Sequence, residues 1–136
     1  MITISPEPIS PESVINRVRT PASGGVVTYV GLIRDNSRGK PVATVEYRDA
    51  DGKAQERLEA IAAAVKSQWD VSEVAIQHRV AKLAVGDINV VVAVSAPHRV
   101  AAFEACSYVI DQFKEQLPTH KVETYSDGTT FVPTFP

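Results

Sequence analysis

The residues best suited to chemistry in this chain are cationic, and they fall into three groups. Arg34, Arg38 and Lys40 lie in the polar stretch from Gly31 to Pro41. His98 and Arg99 follow an apolar run and open a helical pattern. Lys114 and Lys121 stand on either side of Pro118, seven positions apart. An arginine guanidinium offers two parallel N–H donors, which match a phosphate or a carboxylate. A helix start adds unpaired backbone N–H groups and a partial positive charge. A lysine crowded by other cations gives up its proton more readily and then serves as a base or nucleophile. Together the three groups describe an anion site with lysines to assist.

Each group also has a plainer reading. Arg34, Arg38 and Lys40 fit a solvated loop, and Lys114 and Lys121 taken singly fit ordinary surface lysines. His98 and Arg99 fit polar residues at a helix start, although positive charge there is mildly unfavourable. Cys106 falls on the apolar stripe of its helix and reads as a small core residue rather than a nucleophile. His78 lies within a strand pattern and reads as structural, whereas His120, beside Lys121, stays open. The three histidines lack the spacing of a metal site, so neither a metal nor another cofactor is expected.

Several elements must position these groups. Ile2 to Ile4 alternates like a short strand. Ser10 caps a helix that has Pro11 at its first position and Glu12 in its first turn, and it runs to about Arg19. Val26 to Val30 is a β-branched and aromatic strand after Gly24-Gly25. Gly31 to Pro41 reads as a mobile loop, and Val42 to Tyr47 as a strand. Lys53 to Trp69 is a helix with Leu58, Ile61, Ala62, Val65 and Trp69 on one face. Val74 to Val80 and Ile88 to Val94 are strands, the second apolar enough to be buried on both faces. A long helix follows His98, lined by Phe103, Cys106, Val109, Ile110, Phe113 and Leu117, and stops at Pro118. Val122 to Tyr125, a turn at Ser126-Asp127-Gly128, and Thr129 to Val132 make a closing hairpin. The order predicts an α+β fold, with helices packed on a mixed or antiparallel sheet.

The whole chain of 136 residues suits a single domain, 1–136. Its 44% hydrophobic and 22% charged residues are an ordinary globular balance. No run is long and apolar enough to span a membrane, and the first residues lack the basic start of a secretory signal. A formal net charge of −2 weighs against a general nucleic-acid binder. The single cysteine excludes an internal disulfide framework and points to the cytoplasm.

Five segments, in order, carry a resemblance to the large, catalytic subunit family of molybdopterin synthase. Gly25-Val-Val-Thr-Tyr-Val-Gly-Leu-Ile-Arg34-Asp-Asn resembles GAVVxFxGxVRxxN, and Glu46-Tyr47 resembles the LEY/LEH strand. Gln77-His78-Arg79-Val80 with Leu83 to Asp87 resembles HRxGxLxxGE. Pro97-His98-Arg99 with Ala102 to Cys106 resembles PHRxxAFEAC, and Leu117-Pro118-Thr-His-Lys121-Val-Glu123 resembles xxPxWKxE. The resemblance runs from about Ser10 to Phe131.

That resemblance implies an α/β hammerhead-like domain with a small additional sheet. It implies a homodimer in which each protomer takes one small ubiquitin-like sulfur carrier ending in Gly-Gly, giving a heterotetramer. The implied reaction moves sulfur from the carrier's C-terminal thiocarboxylate to cyclic pyranopterin monophosphate, forming the dithiolene of molybdopterin. Lys114 and Lys121 match the family's two essential lysines. Arg34, with Leu32 and Ile33 beside it, matches the loop at the substrate pocket. His98 and Arg99 match a pair that meets substrate, and Val122 and Glu123 match the lining segment after the proline. Arg38, Lys40 and His120 are secondary candidates. His120 stands where the family often has Trp, Val122 where it often has a basic residue, and the chain ends soon after Phe131. The alternative is a non-catalytic module of the same fold that binds a carrier tail or a phosphorylated ligand.

Overall fold

The computed structural model describes residues 1–133, so the last three residues of the expected 1–136 domain lie outside it. The chain opens with β1 (Ile2–Ser5) and α1 (Pro11–Val18). Ser10 caps α1, its hydroxyl accepting from the Ser13 N–H at 3.3 Å, a contact worth about 1 kcal/mol. Then come β2 (Gly25–Leu32), β3 (Asn36–Ser37), β4 (Lys40–Arg48) and α2 (Ala54–Gln68). The second half holds β5 (Glu73–Arg79), β6 (Lys82–Ala84), β7 (Ile88–Ala96), α3 (Arg99–Gln116), β8 (His120–Tyr125) and β9 (Thr130–Phe131).

Two sheets result. The first has the order β1-β5-β7-β2, with only β1 and β5 parallel. The helices α2 and α3 pack on one face, around Leu58, Ile61, Val65, Ile76, Val92 and Val109. On the other face α1 covers Val91 and Ala93 with Val14 and Val18. β7 is therefore buried on both sides, as its apolar run predicts. The second, smaller sheet has β4 at its centre, paired with β3, β6 and β8, and β8 pairs β9. Its own core includes Val45, Leu83 and Tyr125. The architecture is the expected α+β one, with a small sheet added.

Two expectations need correcting. The stretch from Gly31 to Pro41 is not a loop throughout: β2 runs on to Leu32, and β3 turns back into β4. Arg38 and Gly39 form the two-residue turn, both with positive φ (55° and 76°). That geometry matches the twist of a hairpin but strains a non-glycine residue. Arg38 offsets this by stacking its guanidinium 3.6 Å from the centre of the Phe131 ring. Phe103, placed on the apolar face of α3, is 61% exposed. The stripe facing the sheet is Ala102, Ala105, Cys106, Val109 and Phe113, and Phe103 falls beside it.

The sheets meet at His78, which is fully buried. Its Nδ1–H donates to the Asn89 carbonyl at 2.8 Å, so Nε2 accepts from the Thr119 hydroxyl at 2.9 Å. The imidazole stands edge-on to Tyr47 and Phe113, at 4.9 and 5.0 Å between centroids. Burial pushes its pKa down to about 4. Between the ordinary histidine value and about 4, the unfolded chain takes up a proton that the folded chain refuses. Stability therefore falls as pH drops through that window, by about 3 kcal/mol in all, and levels off below it. Denaturant unfolding across pH 7 to 4 should show this descent in the wild type. His78→Gln should be less stable at pH 7 and lack that part of the slope.

A cationic candidate active site

The end of β2, the last turns of α3 and the inner face of the small sheet enclose a cavity of about 1190 Å³. Leu32, Ile33 and Arg34 reach it from β2 and the residues that follow. Lys114 reaches it from α3, and Lys121 and Glu123 from β8. The structure thus brings together six of the residues that the sequence singles out.

Local geometry explains the convergence. α3 ends at Leu117, whose left-handed backbone (φ 42°, ψ 71°) turns the chain before Pro118. The Arg57 guanidinium, itself paired with Asp51, donates to the Pro118 carbonyl at 3.1 Å and holds this turn against α2. β8 then starts two residues earlier than expected, and its pairing with β4 sets Lys121 opposite Tyr47 and Glu123 opposite Val45. Strand alternation points Lys121 and Glu123 to one face and Val122 to the other, so Val122 does not line the cavity.

Glu123 is 6% exposed and well satisfied. The Ser37 hydroxyl donates to it at 2.9 Å, as does the Tyr125 hydroxyl. Lys121 Nζ lies 3.6 Å from its other oxygen and 6.0 Å from the Tyr47 ring centre. The carboxylate thereby anchors the lysine on the cavity wall. Two residues not foreseen at the site are Tyr47 and Asn89. Asn89 is an extra residue in β7, because Val90 pairs with Gly31 and Ile88 with Leu32. Such a bulge re-aims a side chain, here toward Tyr47, whose oxygen accepts from Asn89 Nδ2 at 3.0 Å. Gly31 leaves room for it: a Cβ there would lie 2.7 Å from Asn89 Oδ1.

Other candidates sit elsewhere. His98 and Arg99 stand at the start of α3, and Lys114 is 15 residues along the same helix. At about 1.5 Å per residue, that is on the order of 22 Å away. Within one chain they cannot reach the Lys114 end. Arg38 and Lys40 engage the β8–β9 hairpin instead, Lys40 Nζ lying 3.2 Å from the Thr129 hydroxyl and 3.4 Å from Asp127. His120 is exposed, beside a neighbouring depression that Lys121 and Arg57 share. Cys106 is buried, and burial raises its thiol pKa to about 11, so it stays protonated. Among the described residues no cluster of histidine, cysteine or carboxylate side chains is arranged to hold a metal.

Comparison with known proteins places the chain in a family. The MoaE protein family matches residues 4–116. The molybdopterin synthase catalytic subunit of Bacillus subtilis is 35% identical over 129 residues, covering 95% of this chain and 82% of the relative. The crystal structure of molybdopterin synthase from Staphylococcus aureus superposes with a TM-score of 0.88 at 30% identity, covering 97% and 96% of the two chains. A chain from the complex of subunits 1 and 2 of the molybdopterin-converting factor of Helicobacter pylori superposes at 0.75 with 14% identity, covering 98% and 90%, a likeness of fold.

The polar cluster around Glu123 makes a clear prediction. Glu123→Leu leaves two hydroxyls and an ammonium without their acceptor, and should cost about 2–4 kcal/mol in denaturant unfolding. Glu123→Gln keeps an acceptor oxygen and should cost less.

Proposed function

This chain belongs to the MoaE family, and from that membership and its cavity we infer that it is the catalytic subunit of a molybdopterin synthase. It takes sulfur from a small carrier subunit and transfers it to a pyranopterin. The observation that carries the reading at the level of residues is the meeting of Arg34, Lys114 and Lys121 in one cavity of a chain that is acidic overall.

The chemistry suits those groups. The substrate, cyclic pyranopterin monophosphate, brings a phosphate, and the carrier's Gly-Gly tail brings a thiocarboxylate. Both are anions, and preorganised cations bind them without rearranging at the moment of reaction. Arg34 holds phosphate through its planar fork. Lys114 handles the proton at the carrier terminus. Lys121, anchored by Glu123, positions the substrate and offsets negative charge that develops on the terminal carbonyl oxygen. The cavity volume accommodates a ring system together with a narrow chain end. We place the reaction in the cytoplasm.

The assignment of His98 and Arg99 to the substrate requires a second copy of the chain. β2 is the edge strand of the first sheet and exposes Val30 and Leu32. Beside it, α3 carries Val100, Phe103, Ser107, Ile110 and Lys114 at alternating three- and four-residue spacing, with Val100 and Phe103 more than 60% exposed. Two copies meeting along this seam about a two-fold axis perpendicular to α3 run their α3 helices in opposite directions. The axis then lays His98 and Arg99 of each copy beside the Lys114 end of the other. With one carrier on each protomer, the assembly is a heterotetramer.

Reconstitution tests the reading. Wild-type protein, thiocarboxylated carrier and cyclic pyranopterin monophosphate should yield molybdopterin. Lys114→Ala and Lys121→Ala should each lose about 100-fold or more while still binding carrier. Carrier binding by the wild type without product would leave only a binding module.

A mixing experiment tests the shared site. Lys114→Ala and Arg99→Ala should each be inactive alone and regain activity when their subunits are exchanged, since one hybrid site is then intact. No recovery in a verified mixed dimer would place His98 and Arg99 outside the site.

A further inference from the structure

Asn89 and Tyr47 form a pair on the cavity wall that the cationic residues do not explain. Both are more than nine-tenths buried, and both line the cavity. Asn89 Oδ1 is buried without a hydrogen-bond partner among the described residues. Such an orphan is rare in folded proteins and calls for a reason. The amide could be turned over, so that Tyr47 donates to its oxygen. That arrangement leaves both amide N–H groups unpaired, so in either orientation the pair keeps a donor without an acceptor among the described residues. As it stands, the amide N–H donates to the tyrosine oxygen, and the hydroxyl hydrogen has no acceptor among the described residues. The cost of the orphan is linked to a free O–H donor in a cavity built for anions.

Three further contacts hold that donor in place. The His78 imidazole stands edge-on to the Tyr47 ring. The β7 bulge, with Gly31 packed against it, fixes where the amide points. Lys121 lies opposite Tyr47 across the β4–β8 pair. Burial raises the phenol to about 12, so it keeps its proton at any working pH.

We propose that the Tyr47 hydroxyl is a catalytic hydrogen-bond donor to an anionic oxygen of the reactants, and that Asn89 is the residue that positions it. The proposal rests on the synthase reading above. Two sources supply such an oxygen: the phosphate of the pterin substrate and the carbonyl oxygen at the carrier's thiocarboxylate carbon. Tyr47 acts with Lys121, a neutral donor beside a charged one, and no proton need leave it.

The test uses the reconstituted wild-type enzyme with Tyr47→Phe and Asn89→Leu. Tyr47→Phe should lose about 10- to 100-fold in turnover efficiency. A loss in kcat with both KM values unchanged identifies the oxygen at the carrier terminus, where charge develops during reaction. A rise in KM for the pterin alone identifies the phosphate. Asn89→Leu removes the orphan, so its melting temperature should hold or rise while its activity falls about tenfold; a purely structural role would lower both. This second variant decides the matter if Tyr47→Phe folds poorly. Tyr47→Phe and Asn89→Leu each within twofold of the wild type would overturn the proposal and leave the synthase reading standing. No product from the wild type would overturn both.

Discussion

His78 sits where the two sheets meet, and it can sit there only without charge. One ring nitrogen is committed to β7 through the Asn89 carbonyl and the other to Thr119, just ahead of β8. Tyr47 from β4 and Phe113 from α3 pack against the ring at close to right angles. Four elements that enclose the cavity are thereby referred to one imidazole. Burial, more than hydrogen bonding, keeps the ring neutral: the Thr119 hydroxyl donates to the neutral ring and could equally accept from a charged one, whereas the surroundings do not solvate the charge. The spacing between Lys114 and Lys121 depends on this junction, because Thr119 lies on the short link between their elements.

Around that junction the electrostatics are local. The chain carries a small negative charge overall, yet Arg34, Lys114 and Lys121 converge on one cavity. Glu123 is the carboxylate among the lining residues closest to Lys121. It is already engaged by two hydroxyls as well as that lysine. It orients the cation more than it cancels it. The lining holds Arg34, Lys114 and Lys121 against Glu115 and Glu123, a surplus of one positive group, and Glu123 is already engaged.

Much of this was legible from residue patterns. The Ser10-Pro11 cap, the apolar face of α2 and the doubly buried β7 follow from local chemistry and periodicity. The β3–β4 hairpin was hidden because Arg38-Gly39 is not a usual pair for such a turn, and its strain is relieved by Phe131, a contact distant in sequence. The bulge at Asn89 leaves no local signal, so neither the amide nor its partner Tyr47 could be placed at the site. Of the partners of Glu123, Lys121 and Tyr125 flank it on its own strand, but Ser37 comes from β3, 86 residues away. The separation of His98 from Lys114 is different. The rise of a helix separates its two ends, and that arithmetic was available from the pattern alone.

The pairing of β4 with β8 has a consequence for how the molecule is made. β4 leaves the ribosome long before β8, and the two strands are joined only when most of the chain is present. Until then the β4 edge that will receive β8 is open, and an open edge invites pairing with other chains. Lys121 and Glu123 arrive with the strand that closes this edge. Synthesis therefore completes the reaction chamber and removes the aggregation hazard in the same event, and a nascent chain stalled before β8 has neither chemistry nor protection.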